Sequence, residues 1–251
     1  MKNFLYENPS LYDCFYKSRY ELLVNMFERL SLNDDGSKRK KLLDIGCGTG
    51  VYLNDLRDTF ECIVGYDINE PMIKYGKSKT SGINLFCGDF SNNEDLKGNF
   101  DLVTAFGSVI SYMHTNDELI DFLSKICSTL SSGGVFVAST WNSLGFLNGE
   151  KKRHSKTIHS LGSNDYSAEI EYDFDLDRQL LLRKRIWKNL HDKNVVAIDD
   201  ASYRLLFPLE IRAIYEISGL SVLGIYSSSE FKGNLSTDGP LYIVANKNDN
   251  I

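Results

Sequence analysis

The sequence has few of the features that mark secreted, metal-binding or repeat proteins. Its five cysteines are odd in number, and no two of them form a Cys-x-x-Cys pair. We therefore expect reduced thiols in a cytoplasmic protein, with neither a disulfide framework nor a zinc knuckle. The histidines His154, His159 and His191 fall in expected loops without ligand spacing, so we expect no metal site. Internal repeats are also missing.

Long apolar runs and a surplus of basic charge are missing as well. No apolar run approaches the roughly 18 residues of a membrane span, and Met1–Glu7 is too short and too polar for a signal peptide. We expect a soluble intracellular protein with no membrane partner. The net charge of −6 and the isoelectric point near 5.3 argue against a nucleic-acid partner, which needs a basic surface. A length of 251 residues suits one α/β domain.

The sequence does contain a glycine-rich turn within Lys41–Gly50. Leu42–Ile45 is a short apolar run, typical of a buried parallel strand that ends in a tight turn. Glycines free the backbone to adopt positive φ and let a ligand approach where a Cβ would block it. Three of them alternate here, at Gly46, Gly48 and Gly50. Helical spacing over Val51–Leu56 predicts a helix whose N–H end points at that ligand.

A second apolar strand, Ile63–Tyr66, ends in an acidic residue, Asp67, which follows Gly50 by 17 positions. An acid at the tip of the strand after a glycine turn is placed to accept hydrogen bonds from ribose hydroxyls. The two strands and the turn therefore predict a nucleoside-binding βαβ unit. Its G-x-G-x-G spacing departs from the G-x-G-x-x-G of dinucleotide sites. A degenerate NAD site and a plain glycine-rich turn are the alternatives.

The turn, preceded by Asp44 and followed by Asp67, resembles motif I of the class I S-adenosylmethionine-dependent methyltransferases. The resemblance covers nearly the whole chain and implies an α/β fold. That fold is a Rossmann-like seven-stranded sheet, mostly parallel with an antiparallel last strand, flanked by helices. It also implies S-adenosyl-L-methionine as the cofactor. The residues implied to surround the cofactor are Tyr12, Arg19, Tyr20, Asp44, Gly46, Cys47, Gly48, Asp67, Ile68, Met72, Gly88, Asp89, Phe90, Phe106, Gly107 and Ser108.

Two of the implied contacts have plain packing alternatives. Helical spacing from Ser10 to Leu30 predicts a first helix. The resemblance implies that this helix folds over the cofactor and that Arg19 or Tyr20 reaches the methionine carboxylate; packing on the sheet is the alternative. Met72 packs either on adenine or in the core.

The triplet Gly88-Asp89-Phe90 follows an expected third strand, Ile83–Cys87, and resembles the adenine-binding motif of the same superfamily. The resemblance implies that the Asp89 carboxylate accepts the adenine amino proton and that Phe90 closes over the ring. An exposed loop aspartate is the alternative for Asp89.

The acceptor is expected beyond the carboxyl ends of the strands, where ligands lie in open parallel sheets. The expected pocket residues are Tyr16, Tyr112, Trp141 and Asn142. Tyr112 and His114 are the candidates to take a proton from an ammonium acceptor or to orient its lone pair. A purely lining role for Tyr112 and an exposed His114 beside a helix cap are the alternatives.

The rest of the chain predicts one domain, residues 1–251, with an inserted loop and β-meander at 145–207 that covers the acceptor or forms a dimer. Residues 145–168 are expected to be a polar loop before three strands. The remaining expected elements are strand Phe100–Phe106, helix Asn116–Leu130 with a Thr115/Glu118 capping box, a turn at Ser131–Gly134, strand Val135–Thr140, meander strands Ala168–Phe174, Gln179–Leu190 and Val195–Leu206, a helix from Pro208 to Ser218, and strands Val222–Tyr226 and Leu241–Ala245.

Short signatures such as Tyr12-Asp13 and Leu206-Phe207-Pro208 resemble the N,N-dimethyltransferases of nucleotide-linked deoxyaminosugars. This implies methyl transfer to a small molecule, at an amine nitrogen first, and a homodimer through residues 168–206. Members of that branch carry His where this chain has Tyr112. An RNA- or protein-directed methyltransferase is disfavoured, because Phe106–Val109 stands where an Asn-Pro-Pro-Tyr-type tetrapeptide would be. Intact glycine and acidic positions disfavour a catalytically silent nucleoside-binding subunit.

Overall fold

The computed structural model describes residues 3–33, 35–147, 154–161 and 164–248. Its strands are β1 Lys41–Ile45, β2 Cys62–Asp67, β3 Asn84–Cys87, β4 Phe100–Ala105, β5 Leu130–Thr140, β6 His154–Leu161, β7 Asn164–Asp175, β8 Leu180–Asn189, β9 Val195–Arg204, β10 Leu220–Tyr226 and β11 Leu241–Lys247. Its α-helices are α1 Phe4–Glu7, α2 Pro9–Leu30, α3 Glu70–Lys79, α4 Asn116–Thr129, α5 Leu144–Leu147 and α6 Pro208–Ile217.

The central sheet has seven strands in the order β10-β11-β5-β4-β1-β2-β3. The five strands from β5 to β3 are parallel, and β11 runs antiparallel to both β5 and β10. This is the expected fold class, and it is confirmed. The order reverses direction beside β1, so the carboxyl ends of β1, β2 and β4 meet at one edge, where ligands bind in such sheets.

Helices cover both faces of the sheet, which is why the parallel strands read as continuous apolar runs rather than as alternating ones. Leu42 packs with Phe27 of α2 on one face, whereas its neighbour Leu43 packs with Phe136 and the α4–α6 side on the other. The Thr115/Glu118 capping box is present at the start of α4, as expected. None of the described helices is both long and apolar enough to cross a membrane.

Val51–Leu56 is helical, as expected, and forms a 3-10 helix of 6 residues. One local expectation beside the central sheet is wrong. The expected turn Ser131–Gly134 belongs to β5, which starts at Leu130. The Ser131 hydroxyl donates to the Phe100 carbonyl oxygen at 3.1 Å, so an irregular stretch of strand replaces the turn.

The inserted region forms a second sheet, in the order β6-β7-β8-β9 and antiparallel throughout. It has four strands where three were expected, because β6 lies within the polar stretch read as a loop; residues 148–153 and 162–163 of that stretch are outside the described residues. Trp187, on its inner face, is fully buried with Leu5 and Leu11 of α1 and α2. The N-terminal helices therefore pack against both sheets.

Candidate active site

The glycine turn and Asp67 meet at the carboxyl ends of β1 and β2. The Gly46 and Cys47 amides donate to the Tyr66 carbonyl oxygen at 2.8 and 3.0 Å, and the Gly48 amide donates to Asp67 Oδ2 at 2.8 Å. Asp67 Oδ1 accepts hydrogen bonds from Asn69, through its backbone N at 2.8 Å and Nδ2 at 2.7 Å. The Asp67 carboxylate is thus fixed at the strand tips, where ribose hydroxyls were expected to bind.

The first two glycines of the turn are required by close approaches as well as by positive φ. Gly46 has φ 73°, and a Cβ there would lie 2.3 Å from Cγ2 of Val109. Gly48 has φ 61°, and a Cβ there would lie 3.1 Å from the Tyr12 hydroxyl and 3.4 Å from Cε of Met72. Only a narrow space, which we call the slot, therefore separates the Gly48 backbone from Tyr12 and Met72, and it leaves no room for a side chain at this position.

Asp44 supports this turn from the core side. Its side chain is fully buried, and it accepts hydrogen bonds from the Tyr52 hydroxyl and, at 2.6 Å, from the Thr104 hydroxyl. Burial raises the pKa of Asp44 to about 6. The Cys47 side chain is also buried, against Gly65. Asp44 and the Cys47 thiol therefore shape the turn from below and do not present polar atoms to the cleft.

The first helix lies over the turn, and one carboxylate joins the two. Asp13 Oδ1 accepts hydrogen bonds from the Thr49 hydroxyl at 2.6 Å and the Tyr20 hydroxyl at 2.5 Å. The Tyr20 hydroxyl is thereby engaged within the protein, whereas Arg19 is exposed, with its guanidinium 5.3 Å from the centroid of the Tyr16 ring. Burial raises the pKa of Asp13. The sequence singled out Tyr12-Asp13 as a signature without assigning Asp13 a role.

The region expected to bind adenine departs from the expectation at one residue. Phe90 is buried in the main core, edge-on to Phe122 with ring centroids 5.7 Å apart, so it does not close over a ligand. Asp89 is exposed and caps its own turn by accepting from the Ser91 amide at 2.9 Å. Ile68, directly after Asp67, is 78% exposed. Ile68 and Met72 are therefore the apolar side chains that flank Asp67. The prediction that Phe90 covers the adenine ring is wrong, because a buried aromatic residue and a stacking aromatic residue look alike in sequence.

The strand tips β3 and β4 complete the edge. The Gly88 amide donates to the Asp67 carbonyl oxygen at 3.0 Å, which ties the end of β3 to β2. Phe106 is buried and packs edge-on against Phe27 in the core. The Gly107 amide donates to the Ser139 hydroxyl at 3.1 Å, and Ser108 has a positive φ of 64°. Gly107 and Ser108 thus lie on the loop that borders the cleft.

A cluster of tyrosines occupies the side where the acceptor is expected. The Tyr112 hydroxyl lies 3.4 Å from the Tyr6 hydroxyl of α1 and donates to the Tyr203 hydroxyl of β9 at 3.5 Å. Trp141 packs on Tyr203 with ring centroids 5.4 Å apart. Burial raises the pKa of Tyr112 well above its ordinary value. Tyr112 is therefore a neutral hydroxyl at physiological pH, which fits a lining role and argues against a proton acceptor.

His114 and Asn142 are held by other parts of the protein. His114 Nε2 lies 3.1 Å from the carbonyl oxygen of Ser202, and its backbone N donates to Glu118. Asn142 is fully buried, and its Nδ2 donates to the carbonyl oxygens of Ser236 and Asp238. The expected pocket role of Asn142 is therefore corrected: it positions the loop before β11. His114 joins the start of α4 to β9.

Sequence reasoning missed Tyr6, Arg183 and Tyr203. They come from α1, β8 and β9, and only the folded chain brings them to Tyr112. One signal was available: Arg183 and Arg185 occupy alternate positions on the same face of β8 as buried Leu181 and Trp187. Charged residues on the inward face of a strand indicate a buried polar site.

Part of the chain matches a known protein family. Residues 42–134 match the family described as "Methyltransferase domain". The chain is 26% identical over 138 residues to dTDP-3-amino-3,4,6-trideoxy-alpha-D-glucopyranose N,N-dimethyltransferase of Streptomyces venezuelae, covering 54% of this chain and 57% of the relative. It is 28% identical over 102 residues to dTDP-4-amino-2,3,4,6-tetradeoxy-D-glucose N,N-dimethyltransferase of Saccharopolyspora spinosa, covering 41% of each. The chain thus spans about half the length of the curated relatives it matches.

Solved structures share the fold over nearly the whole chain. DesVI of Streptomyces venezuelae superposes with a TM-score of 0.76 at 19% identity, over 94% of this chain and 97% of that one. The CcbJ methyltransferase of Streptomyces caelestis superposes with a TM-score of 0.75 at 17% identity, over 91% of this chain and 89% of that one. The family match therefore covers the motif I turn at the strand tips, and the fold of the whole chain is similar to that of these solved methyltransferases.

Proposed function

We propose that this protein transfers a methyl group from S-adenosylmethionine to a small-molecule acceptor, with an amine nitrogen as the first candidate. The observation that carries the proposal is the pairing of Asp67 with the Gly48 amide beneath Tyr12. It combines a fixed carboxylate, a bare backbone and a covering aromatic side chain at one sheet edge, as a nucleoside-binding site requires.

The described residues fit the cofactor. Asp67 has both oxygens held in place and retains lone pairs for ribose hydroxyls. Gly46 and Gly48 leave the backbone of the turn bare, since the Cys47 side chain between them is buried, and Ile68 and Met72 provide apolar flanks. When bound, S-adenosylmethionine supplies an electrophilic methyl carbon on a sulfonium, which an acceptor lone pair displaces in line.

The chain's own contribution is alignment and the exclusion of water. Tyr6 and Tyr12, from the N-terminal helices, cover the edge where the acceptor meets the cofactor cleft. The neutral Tyr112 hydroxyl can orient an acceptor lone pair by hydrogen bonding without taking a proton. A neutral amine needs no more than this, because its lone pair is already free.

Two features support a small amine over RNA. The curated relatives described above act on amino groups of nucleotide-linked sugars, as their names state. The net charge of −6 disfavours a polyanionic substrate.

We further propose a cytoplasmic homodimer. The outer face of the four-stranded sheet, which exposes Ile158, Leu182 and Ile198, is the surface for a second copy, and light scattering of the purified protein tests it.

Calorimetry with S-adenosylmethionine tests the proposal. We expect Asp67→Ala to weaken binding by about tenfold or more, because ribose hydroxyls lose a charged acceptor. Asp58→Ala, which removes an exposed carboxylate elsewhere, is the matched control and should bind as the wild type does. Equal affinity of Asp67→Ala and the control would refute the ribose assignment.

Labelled methyl transfer to a panel of small amines and to total RNA tests the acceptor class. Signal confined to RNA would overturn the assignment of a small-molecule acceptor.

A further inference from the structure

A buried group of charges lies behind the acceptor side of the four-stranded sheet. It consists of Arg183 and Arg185 of β8 and Asp199 of β9, and we call it the meander charge cluster. Arg183 Nη2 lies 2.8 Å from Asp199 Oδ1, and Arg185 Nη2 lies 3.0 Å from the same oxygen. The side chains are 9%, 3% and 1% exposed, in the order given.

The charges of the meander charge cluster do not balance. Two guanidinium groups, which stay protonated in proteins, share one carboxylate. Asp199 is the one carboxylate that pairs with either arginine among the residues the structure describes. The further partner of Arg185 is the neutral Oδ1 of Asn3 at 2.9 Å, and Asp199 Oδ2 also accepts from Trp187 Nε1 at 2.8 Å. One buried positive charge therefore lacks a counter-charge, which is unfavourable unless an anion joins the cluster.

The surplus extends to hydrogen-bond donors. Arg183 Nη1 donates to the Tyr203 hydroxyl at 2.8 Å and Nη2 to Asp199, while its Nε is buried and has no hydrogen-bond partner among the described residues. The Tyr203 oxygen accepts from both Arg183 and Tyr112. The Arg183 Nε–H is thus left for an acceptor oxygen, and the Tyr203 hydroxyl beside it can rotate to donate to the same oxygen.

These donors belong to the acceptor side of the site. Tyr203 contacts Trp141 and Tyr112, with ring centroids 5.4 and 5.2 Å apart, and the Arg183 guanidinium carbon lies 5.5 Å from the centroid of the Tyr203 ring. Tyr6 of α1 closes the cluster from above through the Tyr112 hydroxyl. A ligand that approaches Arg183 from the side of Tyr6 must therefore displace the Tyr6–Tyr112 contact.

We propose that Arg183 and Tyr203 form an oxyanion subsite, which binds a singly charged carboxylate carried by the methyl acceptor. The proposal rests on the proposed function, since it assigns part of the acceptor's structure. A monoanion brings the cluster to neutrality, whereas a doubly charged phosphate monoester reverses its charge. Charge-assisted hydrogen bonds from a guanidinium to a carboxylate are among the stronger ones available in proteins.

Thermal unfolding in sodium acetate and in sodium chloride of equal ionic strength tests the subsite, with acetate as the probe. A ligand that binds only the folded state raises Tm. We expect a larger rise in acetate than in chloride for the wild type, and loss of that difference in Arg183→Gln. This variant keeps the Arg185–Asp199 pair. Lys184→Gln, on the same strand but exposed, removes one positive charge outside the cluster and should respond as the wild type does.

An NMR titration of the wild type tests the subsite even if Arg183→Gln folds poorly. The arginine Nε–H signal of Arg183, assigned in the wild type by its absence in Arg183→Lys, should shift and saturate in an acetate titration followed by NMR. We expect Arg183→Lys, which keeps the charge but loses the fork of donors, to bind acetate about tenfold or more weakly. An unmoved signal together with equal Tm in acetate and chloride overturns the proposal.

Both measurements, thermal unfolding and the NMR titration, are repeated with inorganic phosphate in place of acetate. A response to acetate that exceeds the response to phosphate supports the monoanion assignment, and the reverse order overturns it. Calorimetry with S-adenosylmethionine on the same samples separates this proposal from the proposed function. Failure of cofactor binding refutes methyl transfer and leaves the acetate result standing, whereas normal cofactor binding without an acetate response refutes the subsite alone.

Discussion

Asp13 and Thr49 are joined by a hydrogen bond of 2.6 Å, which links the first long helix to the glycine turn across 36 positions of sequence. The same Asp13 oxygen holds the Tyr20 hydroxyl. Asp13 thereby helps to hold the neighbouring Tyr12 over Gly48, because its carboxylate joins the first long helix to the glycine turn.

We expect Asp13→Ala to release the helix from the turn. The Thr49 and Tyr20 hydroxyls lose their acceptor, which costs roughly 1–3 kcal/mol where the groups stay buried. Calorimetry should show weaker binding of S-adenosylmethionine, and urea unfolding should show lower stability. Asp13→Asn retains one acceptor oxygen, so its cofactor affinity and its stability should lie between those of the wild type and those of Asp13→Ala. If Asp13→Ala binds the cofactor as the wild type does, the hydrogen bond between Asp13 and Thr49 does not contribute to cofactor affinity.

Gly48→Ala should impair cofactor binding more than it impairs folding. The added Cβ would enter the slot below the Tyr12 hydroxyl, and φ at this position is 61°. Gly98→Ala is the matched control, since its φ is 64° and a Cβ there meets nothing within 4 Å. Both variants should lose about 1 kcal/mol of stability from backbone strain. Only Gly48→Ala should lose affinity in calorimetry; a parallel loss in Gly98→Ala would show that strain alone explains the effect.

The buried Asp44 carboxyl should make the wild-type protein more stable as the pH falls from about 7 toward 4. Its pKa in the folded state, about 6, lies above the ordinary value of 3.8. Between these values the folded state binds more protons than the unfolded state, so stability decreases as pH rises through the window. The shift corresponds to about 3 kcal/mol at most.

Asp44→Asn should remove this contribution. Urea unfolding of both proteins at a series of pH values from 4 to 7.5 gives the difference in the free energy of unfolding. We expect that difference to change with pH between about 4 and 6 and to level off above. A difference that stays constant across the whole series would show that Asp44 does not titrate in this range.

Tyr112→Phe should retain most of its turnover. A general base typically contributes about 10²–10⁴-fold, but burial keeps Tyr112 protonated, so its hydroxyl can only orient the acceptor. We expect kcat to fall by less than about tenfold, with a larger effect on KM for the acceptor, and the pH profile of kcat to keep its shape. Loss of an ionisation from that profile in Tyr112→Phe would restore Tyr112 as the base.

The parts of the site that sequence predicted are those encoded within one turn or one strand. The glycine turn and Asp67 follow from local backbone requirements. The capping box of α4 could likewise be predicted from the residues at its own positions. Phe90 and Asn142 were misassigned because their surroundings come from distant elements: the α4 residue Phe122 for one and residues 236–238 for the other. No local pattern states which neighbours a side chain will meet.

The second sheet shows the same limit. β7, β8 and β9 carry enough β-branched and aromatic residues to be recognised, whereas β6 contains His, Ser and Lys and is held mainly by pairing with β7. The bonds of Arg183 to Tyr203 and Asp199 join residues 20 and 16 positions apart on neighbouring strands. Their register depends on where the connecting turn falls, which the sequence leaves open.

Asn3 Oδ1 accepts from the Leu5 amide at the start of α1 and from Arg185, which lies 182 positions further along the chain. A helix of four residues has little stability by itself, so α1 should settle only after β8 has formed. During synthesis on the ribosome, α1 would therefore not cover the carboxyl ends of β1 and β2 before β8 has emerged.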